Sequence, residues 1–566
     1  MPSLTISNLW RRKRAKEVKE PDFGDRPSYL VSYVESFKQR HGEEPMIVER
    51  LSGDMRMWSK INVVYPVGGG IFIHVTNLVK TVAGFNQYIV VEPPRPPSNL
   101  FKAIEEALAT KIKPEYAMES AEERKKVLLE LLEEILDVRD RSVNYNSIRP
   151  GLPKVPVSKD DVDYVKYHLI RDKIGVGIIE PFLRDPYLED ISAKGVGNIY
   201  VVHKIFGPLE SNVGFRSEEE LDEYIIKLGE KIGKPISRAR PVVDATLPDG
   251  SRLNIVYGTD VSLFGSNFTI RKVAKTPISV TQLIKWNTFD EYVAAYMWIM
   301  LSEGTSAFIC GETASGKTTT LNALAVYIRP NYKVVSIEDT AEVTLPHKNW
   351  VRELTRDTGK PESSVTMFDL LKAALRQRPN YIIVGEIRGA EGNIAFQAIQ
   401  TGHPVLSTFH AANLERLLQR LTNPPISVPK TNLDALNIAW FQSSVYDKRG
   451  MLVRRMISVN EIVGYDPRTD SIVAIPVFLW DPTRDVHRFA GRGASYLLEE
   501  KIAVMRGISK RDIKLIYEEL ELRARYLRLL ADKNILDYYD VFKAIVKTYE
   551  LGLEEAYRKL SRGELF

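Results

Sequence analysis

The sequence predicts an α/β protein whose C-terminal half contains a parallel, doubly wound sheet. From Trp286 onward, short apolar runs typical of buried strands alternate with helical patterns, as a parallel sheet covered by helices requires. Between the apolar run Ala307–Cys310 and a helical segment from Thr319 lies GETASGKT, residues 311–318, which has the spacing of a phosphate-binding loop. The two observations agree, because such a loop joins a strand to the helix that follows it.

The phosphate-binding loop predicts a nucleotide site. Its glycines permit a tight turn that directs backbone N–H groups at phosphate oxygens, and the helix adds the positive end of its dipole. We expect Lys317 to reach the β- and γ-phosphates and Thr318 to ligate Mg²⁺. ATP and Mg²⁺ are thus the expected ligands. The residues expected to bind them are Gly311, Glu312, Thr313, Ala314, Ser315, Gly316, Lys317, Thr318 and Thr319.

Length and composition bound the remaining possibilities. A chain of 566 residues is too long for one ordinary core and predicts three or four domains. The net charge of +5 is small for this length and does not argue for nucleic acid. Cys310 is the single cysteine, which excludes an internal disulfide and a cysteine-rich zinc module. No stretch approaches the roughly 20 apolar residues of a membrane span, so we expect a cytoplasmic protein.

The N-terminal part predicts three segments of different character. Residues 1–25 are basic and are interpreted as a flexible tail. Residues 26–150 combine helical segments with three strand-like runs and predict a small α+β appendage. Residues 151–285, which begin with a proline-containing linker, predict a second α+β domain, and the Pro248–Gly250 turn there feeds a strand. The remaining residues, 286–566, form the predicted ATPase domain with C-terminal helices.

Two glutamates end apolar strands of the predicted parallel sheet. Glu338 follows residues 333–337, and Glu386 follows residues 381–384. Ligands of open α/β sheets bind beyond the carboxyl ends of the strands, so both acids are expected to face the phosphate loop. We expect Glu386 in the shell of Mg²⁺, reached through water. Glu338 is then expected to orient or deprotonate the attacking water.

Two histidines bracket a third strand. His403 precedes and His410 follows residues 405–409. No third or fourth zinc ligand lies close in sequence, so a metal role is not expected. We expect at least one of the two to sense the γ-phosphate, and the alternative is a buried histidine whose hydrogen bonds are satisfied.

With these residues in view, the chain resembles the secretion ATPase superfamily that powers type II secretion, type IV pili, archaella and type IV secretion. Four ordered motifs carry the resemblance. They are the phosphate loop, the acidic box of residues 337–342, the second acidic motif ending in residues 385–388, and the histidine box of residues 401–410. Residues 345–350 and 421–430 further resemble the archaeal branch, whose members lack the cysteine-based zinc module of many bacterial relatives. The resemblance extends over about residues 160–480.

The resemblance implies a homo-hexameric ring. ATP is expected between a sensor-like, PAS-like middle domain and a RecA-like C-terminal domain, with arginines supplied by the middle domain. Arg240, Arg252 and Arg271 are the candidates, because a guanidinium is always charged and binds phosphate oxygens in pairs. Gly389 and Asn380 depart from the family pattern, since many members carry aspartate at each position. Neither departure removes a motif glutamate or the loop lysine.

The resulting hypothesis is a mechanochemical ATPase at the cytoplasmic face of the membrane, docked on a polytopic platform protein. It drives assembly of a filament of pilin-like subunits or of a secretion pseudopilus. An archaellum motor and a DNA-transfer ATPase are alternatives of the same chemistry, although the small net charge and the lack of a recognisable nucleic-acid module disfavour nucleic acid. A nucleotide-gated scaffold without turnover is a third alternative, which the presence of both Glu338 and Glu386 disfavours.

Overall fold

The computed structural model describes residues 26–52, 55, 58–82, 84–111, 120–149, 151–273, 276–356, 362–448, 450 and 452–564. The predicted tail, residues 1–25, lies outside them. The chain divides after Val273 into two compact units. No helix in these described ranges is long and apolar enough to cross a membrane.

The first unit is built on a mixed sheet of ten strands among its described residues, in the order β1-β2-β3-β4-β9-β8-β7-β12-β11-β10. Its strands, with a separate β5–β6 pair, are β1 Met46–Ile47, β2 Asn62–Gly68, β3 Ile71–Thr76, β4 Asn86–Val91, β5 Leu136–Arg139, β6 Val155–Ser158, β7 Leu188–Ala193, β8 Gly197–His203, β9 Gly207–Phe215, β10 Val242–Thr246, β11 Arg252–Val256 and β12 Asn267–Arg271. Its helices are α1 Ser28–His41, α2 Ser98–Lys111, α3 Ala121–Ile135, α4 Val162–Leu169, α5 Glu180–Arg184 and α6 Glu218–Lys231.

Strands from both sides of residue 150 share this sheet. β4 pairs with β9 in parallel, with Asn86 opposite Leu209. The carboxylate of Asp185 also joins the two parts, because its Oδ2 accepts hydrogen bonds of 2.8 Å from the hydroxyls of Tyr65 and Tyr88. Burial raises the pKa of Asp185, and these donors oppose that shift. The division into residues 26–150 and 151–285 stays a sequence-based prediction.

The second unit confirms the predicted α/β class. Its nine strands among the described residues have the order β15-β14-β16-β17-β13-β18-β19-β20-β21, and neighbours from β15 to β18 are parallel. The strands are β13 Ala307–Gly311, β14 Val334–Glu338, β15 Trp350–Leu354, β16 Tyr381–Ile387, β17 Val405–Phe409, β18 Ile438–Tyr446, β19 Leu452–Asp466, β20 Ser471–Asp481 and β21 Val486–Phe489. Beyond β18 the sheet continues with antiparallel strands, which the sequence analysis did not predict.

Helices cover this sheet. They are α7 Val280–Lys285, α8 Glu291–Ser302, α9 Lys317–Ala325, α10 Met367–Arg376, α11 Glu391–Gln400, α12 Leu414–Thr422, α13 Ala503–Met505, α14 Lys514–Asp532, α15 Tyr538–Leu551 and α16 Leu553–Arg562. Every residue of α8 from Val293 to Ser302 is buried, as expected for a helix that is apolar on all sides. The C-terminal helix α14 packs against α8, so the last part of the chain completes the core of this unit.

Candidate functional site

The phosphate loop lies at the centre of the second sheet. β13 is fully buried between β17 and β18, and the loop after it leads into α9, as the sequence predicts. Ala314 and Gly316 adopt left-handed backbone conformations, with φ of 62° and 90°. This turn reverses the chain at the carboxyl end of the strand, where ligands of α/β sheets bind.

Unpaired backbone donors line the loop. Within the described part of the chain, no hydrogen bond is made by the backbone N–H groups of Thr313, Ala314, Gly316, Lys317 and Thr318. Closely spaced donors of this kind at a helix N-terminus form a cradle for an anion. The residues present therefore fit a bound phosphate chain. The side chains of Thr318 and Glu386 offer the hard oxygen ligands that Mg²⁺ prefers.

Lys317 folds back onto its own loop. Its Nζ donates a hydrogen bond of 2.9 Å to the carbonyl oxygen of Glu312. Burial lowers the pKa of Lys317, while the nearby charges of Glu386 and Glu342 oppose that shift. The ammonium thus lies among the acidic groups that the sequence analysis assigned to this edge of the sheet. Glu342 is a further acidic group near this ammonium. The sequence analysis included Glu342 only as a member of the acidic box of residues 337–342.

Glu386 lies next to an irregularity of its strand. The pairing of β16 with β17 shifts register between Val384 and Glu386, and the Thr408 hydroxyl donates to the Gly385 carbonyl oxygen at 2.6 Å. Bulges of this kind redirect side chains next to active sites. Arg388 Nε donates to Glu386 Oε2 at 2.9 Å, and this hydrogen bond raises the pKa of Arg388. The carboxylate expected to serve Mg²⁺ is therefore also an ion-pair partner.

Glu338 is buried at the end of β14, with 1% of its side chain exposed. Its Oε1 accepts from the backbone N–H groups of Glu342 at 2.7 Å and Val343 at 2.6 Å, and its Oε2 accepts from Arg352 Nε at 3.2 Å. Burial raises the pKa of Glu338, and these donors oppose the shift. The carboxylate thus fixes the loop that carries Glu342. Its predicted action on water stays a prediction.

The two histidines lie at opposite ends of β17. Cys310 pairs with Phe409, so His410 follows at the phosphate-loop edge, and it is exposed. His403 precedes the strand at the far edge, where its Nδ1 lies 3.3 Å from the Thr401 hydroxyl. The six residues between them, of which Val405–Phe409 form β17, separate them by roughly 20 Å. The structure therefore brings only His410, of these two, to the loop edge.

The candidate arginines belong to the first unit. Arg252 on β11 and Arg271 on β12 are cross-strand partners, and Arg271 Nε donates to Asp190 Oδ1 at 3.3 Å. Arg240 lies outside these strands in a short bridge with Ser237 and is exposed. The register therefore groups Arg252 with Arg271 and leaves Arg240 apart from the pair.

The sequence analysis missed three side chains that contact the loop from β18 and β19. Gln442 Nε2 donates to the Ser315 carbonyl oxygen at 2.6 Å. Ser444 Oγ and Arg454 Nε donate to the Ala314 carbonyl oxygen at 3.2 and 3.4 Å. No motif marks these residues, and the one available signal was the polar Gln442 directly after an apolar strand segment.

Comparison with known proteins gives similarity over most of the chain. Residues 172–437 match the family model described as "Type II/IV secretion system protein". "Uncharacterized protein MJ0900" of Methanocaldococcus jannaschii is 48% identical over 536 residues, which cover 94% of this chain and 96% of that protein. "Protein VirB11" of Agrobacterium fabrum is 29% identical over 259 residues, covering 41% of this chain and 74% of that protein. The Legionella pneumophila ATPase DotB structure matches with a TM-score of 0.38 at 21% identity, covering 60% of this chain and 93% of that chain.

Proposed function

The chain belongs to the type II/IV secretion ATPase superfamily, and on this premise we propose that it hydrolyses ATP in a Mg²⁺-dependent reaction. The observation that carries the proposal is the phosphate loop, whose unpaired N–H groups lie at the same sheet edge as the ends of β14 and β16. Phosphoryl transfer needs neutralised phosphate charge and a positioned water, because there is little covalent chemistry for the protein to perform. The loop N–H groups and Lys317 can neutralise phosphate charge, and the neighbouring acidic groups can position the water.

The proposed roles follow from the positions of these groups. The loop N–H groups bind the phosphates, and Lys317 exchanges its bond to the Glu312 carbonyl for the β- and γ-phosphates. Thr318 directly, and Glu386 through water, would hold Mg²⁺, which when bound neutralises charge on these phosphates. Glu338 orients or deprotonates the attacking water, and His410 senses the γ-phosphate. Arg252 and Arg271 supply further positive charge to the γ-phosphate.

We further propose that the ATPase works as a homo-hexamer at the cytoplasmic face of the membrane. There it docks on a polytopic platform protein and drives assembly of a pilus-like filament or a secretion pseudopilus. Family membership supports this proposal, since the matching family model is described as a secretion system protein. The net charge of +5 on 566 residues gives no support to a nucleic-acid partner.

Two experiments test these proposals separately. Phosphate release by the purified full chain should require both ATP and Mg²⁺ and should stop when EDTA is added. The absence of turnover in a correctly assembled oligomer would overturn the enzymatic proposal. Deletion of the gene in its own host should abolish surface filaments or secretion of a pseudopilus-dependent protein. A deletion strain with intact filaments and secretion would overturn the proposed role while leaving the enzymatic one standing.

A further inference from the structure

The outer side of the phosphate loop is held by the hairpin of β18 and β19. The carbonyl oxygens of Ala314 and Ser315 both accept hydrogen bonds from side chains of this hairpin. These two carbonyl groups are therefore paired, whereas the N–H groups of Ala314, Gly316 and Lys317 make no hydrogen bond among the described residues and can receive an anion. The hairpin is thus placed to fix the loop in the conformation that presents N–H groups to an anion.

Gln442 forms the central contact. Its side chain is buried, and its Nε2 donates to the Ser315 carbonyl oxygen at 2.6 Å. Its Oε1 accepts from the hydroxyl of Thr320 in α9 at 2.8 Å and from Trp440 Nε1 at 3.2 Å. One amide therefore joins the end of the loop to the first turn of the helix that follows it.

The chemistry of these partners fixes the orientation of the amide. The indole of Trp440 can only donate, and the carbonyl of Ser315 can only accept. The oxygen of Gln442 must therefore face Trp440, and its nitrogen must face Ser315. Glutamate cannot replace it, because a second oxygen would face the Ser315 carbonyl, and leucine would leave three buried polar groups without this partner.

The two loop glycines leave room for Gln442. A Cβ on Gly311 would lie 2.4 Å from the backbone oxygen of Gln442, and a Cβ on Gly316 would lie 2.9 Å from its Nε2. Both distances are shorter than real Cβ contacts. The glycines therefore serve the approach of β18 on the outside of the loop as well as the approach of phosphates on the inside.

A second contact acts on the preceding residue. Ser444 and Arg454 are cross-strand partners, and both donate to the carbonyl oxygen of Ala314. Ala314 has a φ of 62°, which costs free energy for a residue other than glycine and persists only where the surroundings enforce it. The hairpin supplies such surroundings from outside the loop motif.

We propose that Gln442 is a positioning residue of the nucleotide site. It holds the phosphate loop in its binding conformation before the nucleotide arrives, and so it sets the affinity for the phosphate chain rather than the rate of hydrolysis. Preorganisation of this kind raises affinity because the loop loses less freedom on binding. The inference rests on the proposed nucleotide function of the same loop.

The test compares Gln442→Leu with Ser443→Ala in the full chain. Ser443 is the next residue of β18, and its hydroxyl donates to the Ser444 carbonyl oxygen at 3.4 Å without contacting the loop. Calorimetry with ADP should show a Kd raised roughly tenfold in Gln442→Leu. The carbonyl of Ser315 would lose its buried partner, so the loop would no longer be held in its binding conformation before ADP binds. The kcat for ATP should stay within about twofold of the unsubstituted chain, because the chemical step uses other groups. Ser443→Ala should change neither quantity.

A second variant and a hydrogen-exchange measurement test the proposal independently of Gln442→Leu. If Gln442→Leu fails to fold, Thr320→Val takes its place, because it removes one of the three hydrogen bonds of Gln442. Thr320→Val should raise the Kd for ADP by a smaller factor than roughly tenfold. Amide hydrogen exchange at Ser315, whose N–H donates to the Glu312 carbonyl oxygen, should be faster in the nucleotide-free Gln442→Leu or Thr320→Val chain than in Ser443→Ala. If the unsubstituted chain binds no ADP, the proposed function fails, and exchange alone decides this inference. Unchanged exchange, or a kcat that falls with an unchanged Kd, would overturn it.

Discussion

Arg252 and Arg271 lie directly opposite each other on the antiparallel strands β11 and β12. Two like charges in this position repel each other, and the structure gives Arg271 an ion pair with Asp190. A pair of neighbouring guanidinium groups suits an anionic ligand, because each can bind two phosphate oxygens. The register therefore supports treating the two arginines as one functional unit.

We predict that Arg252→Ala or Arg271→Ala lowers ATP turnover by up to roughly 10³-fold, the lower end of the effect of arginine fingers in related NTPases. Arg238→Ala, at an exposed arginine of the same unit, should change turnover little. Mixing Arg252→Ala subunits with Lys317→Ala subunits tests for donation between subunits. Recovered turnover supports it, and full activity of both single variants would remove these arginines from the mechanism.

Glu338→Gln should retain ATP binding and lose hydrolysis, because an amide keeps the shape of the carboxyl group but cannot accept a proton. Glu338→Ala should in addition lower the midpoint of thermal unfolding, since the N–H groups of Glu342 and Val343 would lose their acceptor. Binding by calorimetry and turnover by phosphate release separate these effects. If Glu386→Gln shows bound but unhydrolysed ATP while Glu338→Gln stays active, the two proposed roles are reversed.

The two histidines form a matched pair for mutagenesis. His410→Ala should lower kcat roughly tenfold or more, the usual scale for loss of a polar group that contacts a developing charge. His403→Ala should leave kcat nearly unchanged, because His403 lies at the opposite end of β17. Steady-state kinetics of both variants checks the prediction. An equal loss of kcat in the two variants would show that His403 acts on the reaction from a distance.

The ion pair of Arg455 with Asp485 predicts a pH-dependent contribution to stability. Asp485 accepts from Arg455 at 2.7 and 2.8 Å, and these bonds hold its pKa well below the ordinary value of 3.8. A lowered carboxyl pKa contributes stability above the ordinary value, and that contribution is lost as the pH falls below it. Asp485→Asn should therefore lower the free energy of unfolding by about 1 kcal/mol near neutral pH and by less in acid.

Urea denaturation near neutral pH and in acid measures how far Asp485→Asn lowers the free energy of unfolding under each condition. Asp470→Asn is the control, because Asp470 is an exposed partner of Lys430 and surface ion pairs contribute little to stability. A difference between Asp485→Asn and the unsubstituted chain that is as large in acid as at neutral pH would contradict the assignment.

The sequence predicted those parts of the site that depend on local order. Strand β13, the phosphate loop and α9 are contiguous, and Glu338 and Glu386 were placed at one sheet edge because parallel strands share their carboxyl ends. The sequence did not predict the contact of Gln442 with Ser315, since it joins residues 127 positions apart through the pairing of β13 with β18. The same rule of shared carboxyl ends places His410, which follows β17, at the loop edge and His403, which precedes β17, at the opposite edge, but the sequence analysis did not apply it to the two histidines.

The measurement that tests the central claim most directly is phosphate release by Lys317→Ala. Its ammonium is bonded to the Glu312 carbonyl oxygen of its own loop, so its removal should leave the thermal unfolding midpoint nearly unchanged. The charge on the β- and γ-phosphates would be lost, and ATP turnover should fall below roughly a tenth of the unsubstituted value. Turnover above that level in a folded oligomer of unchanged size would contradict the assignment of this loop as the site of ATP hydrolysis.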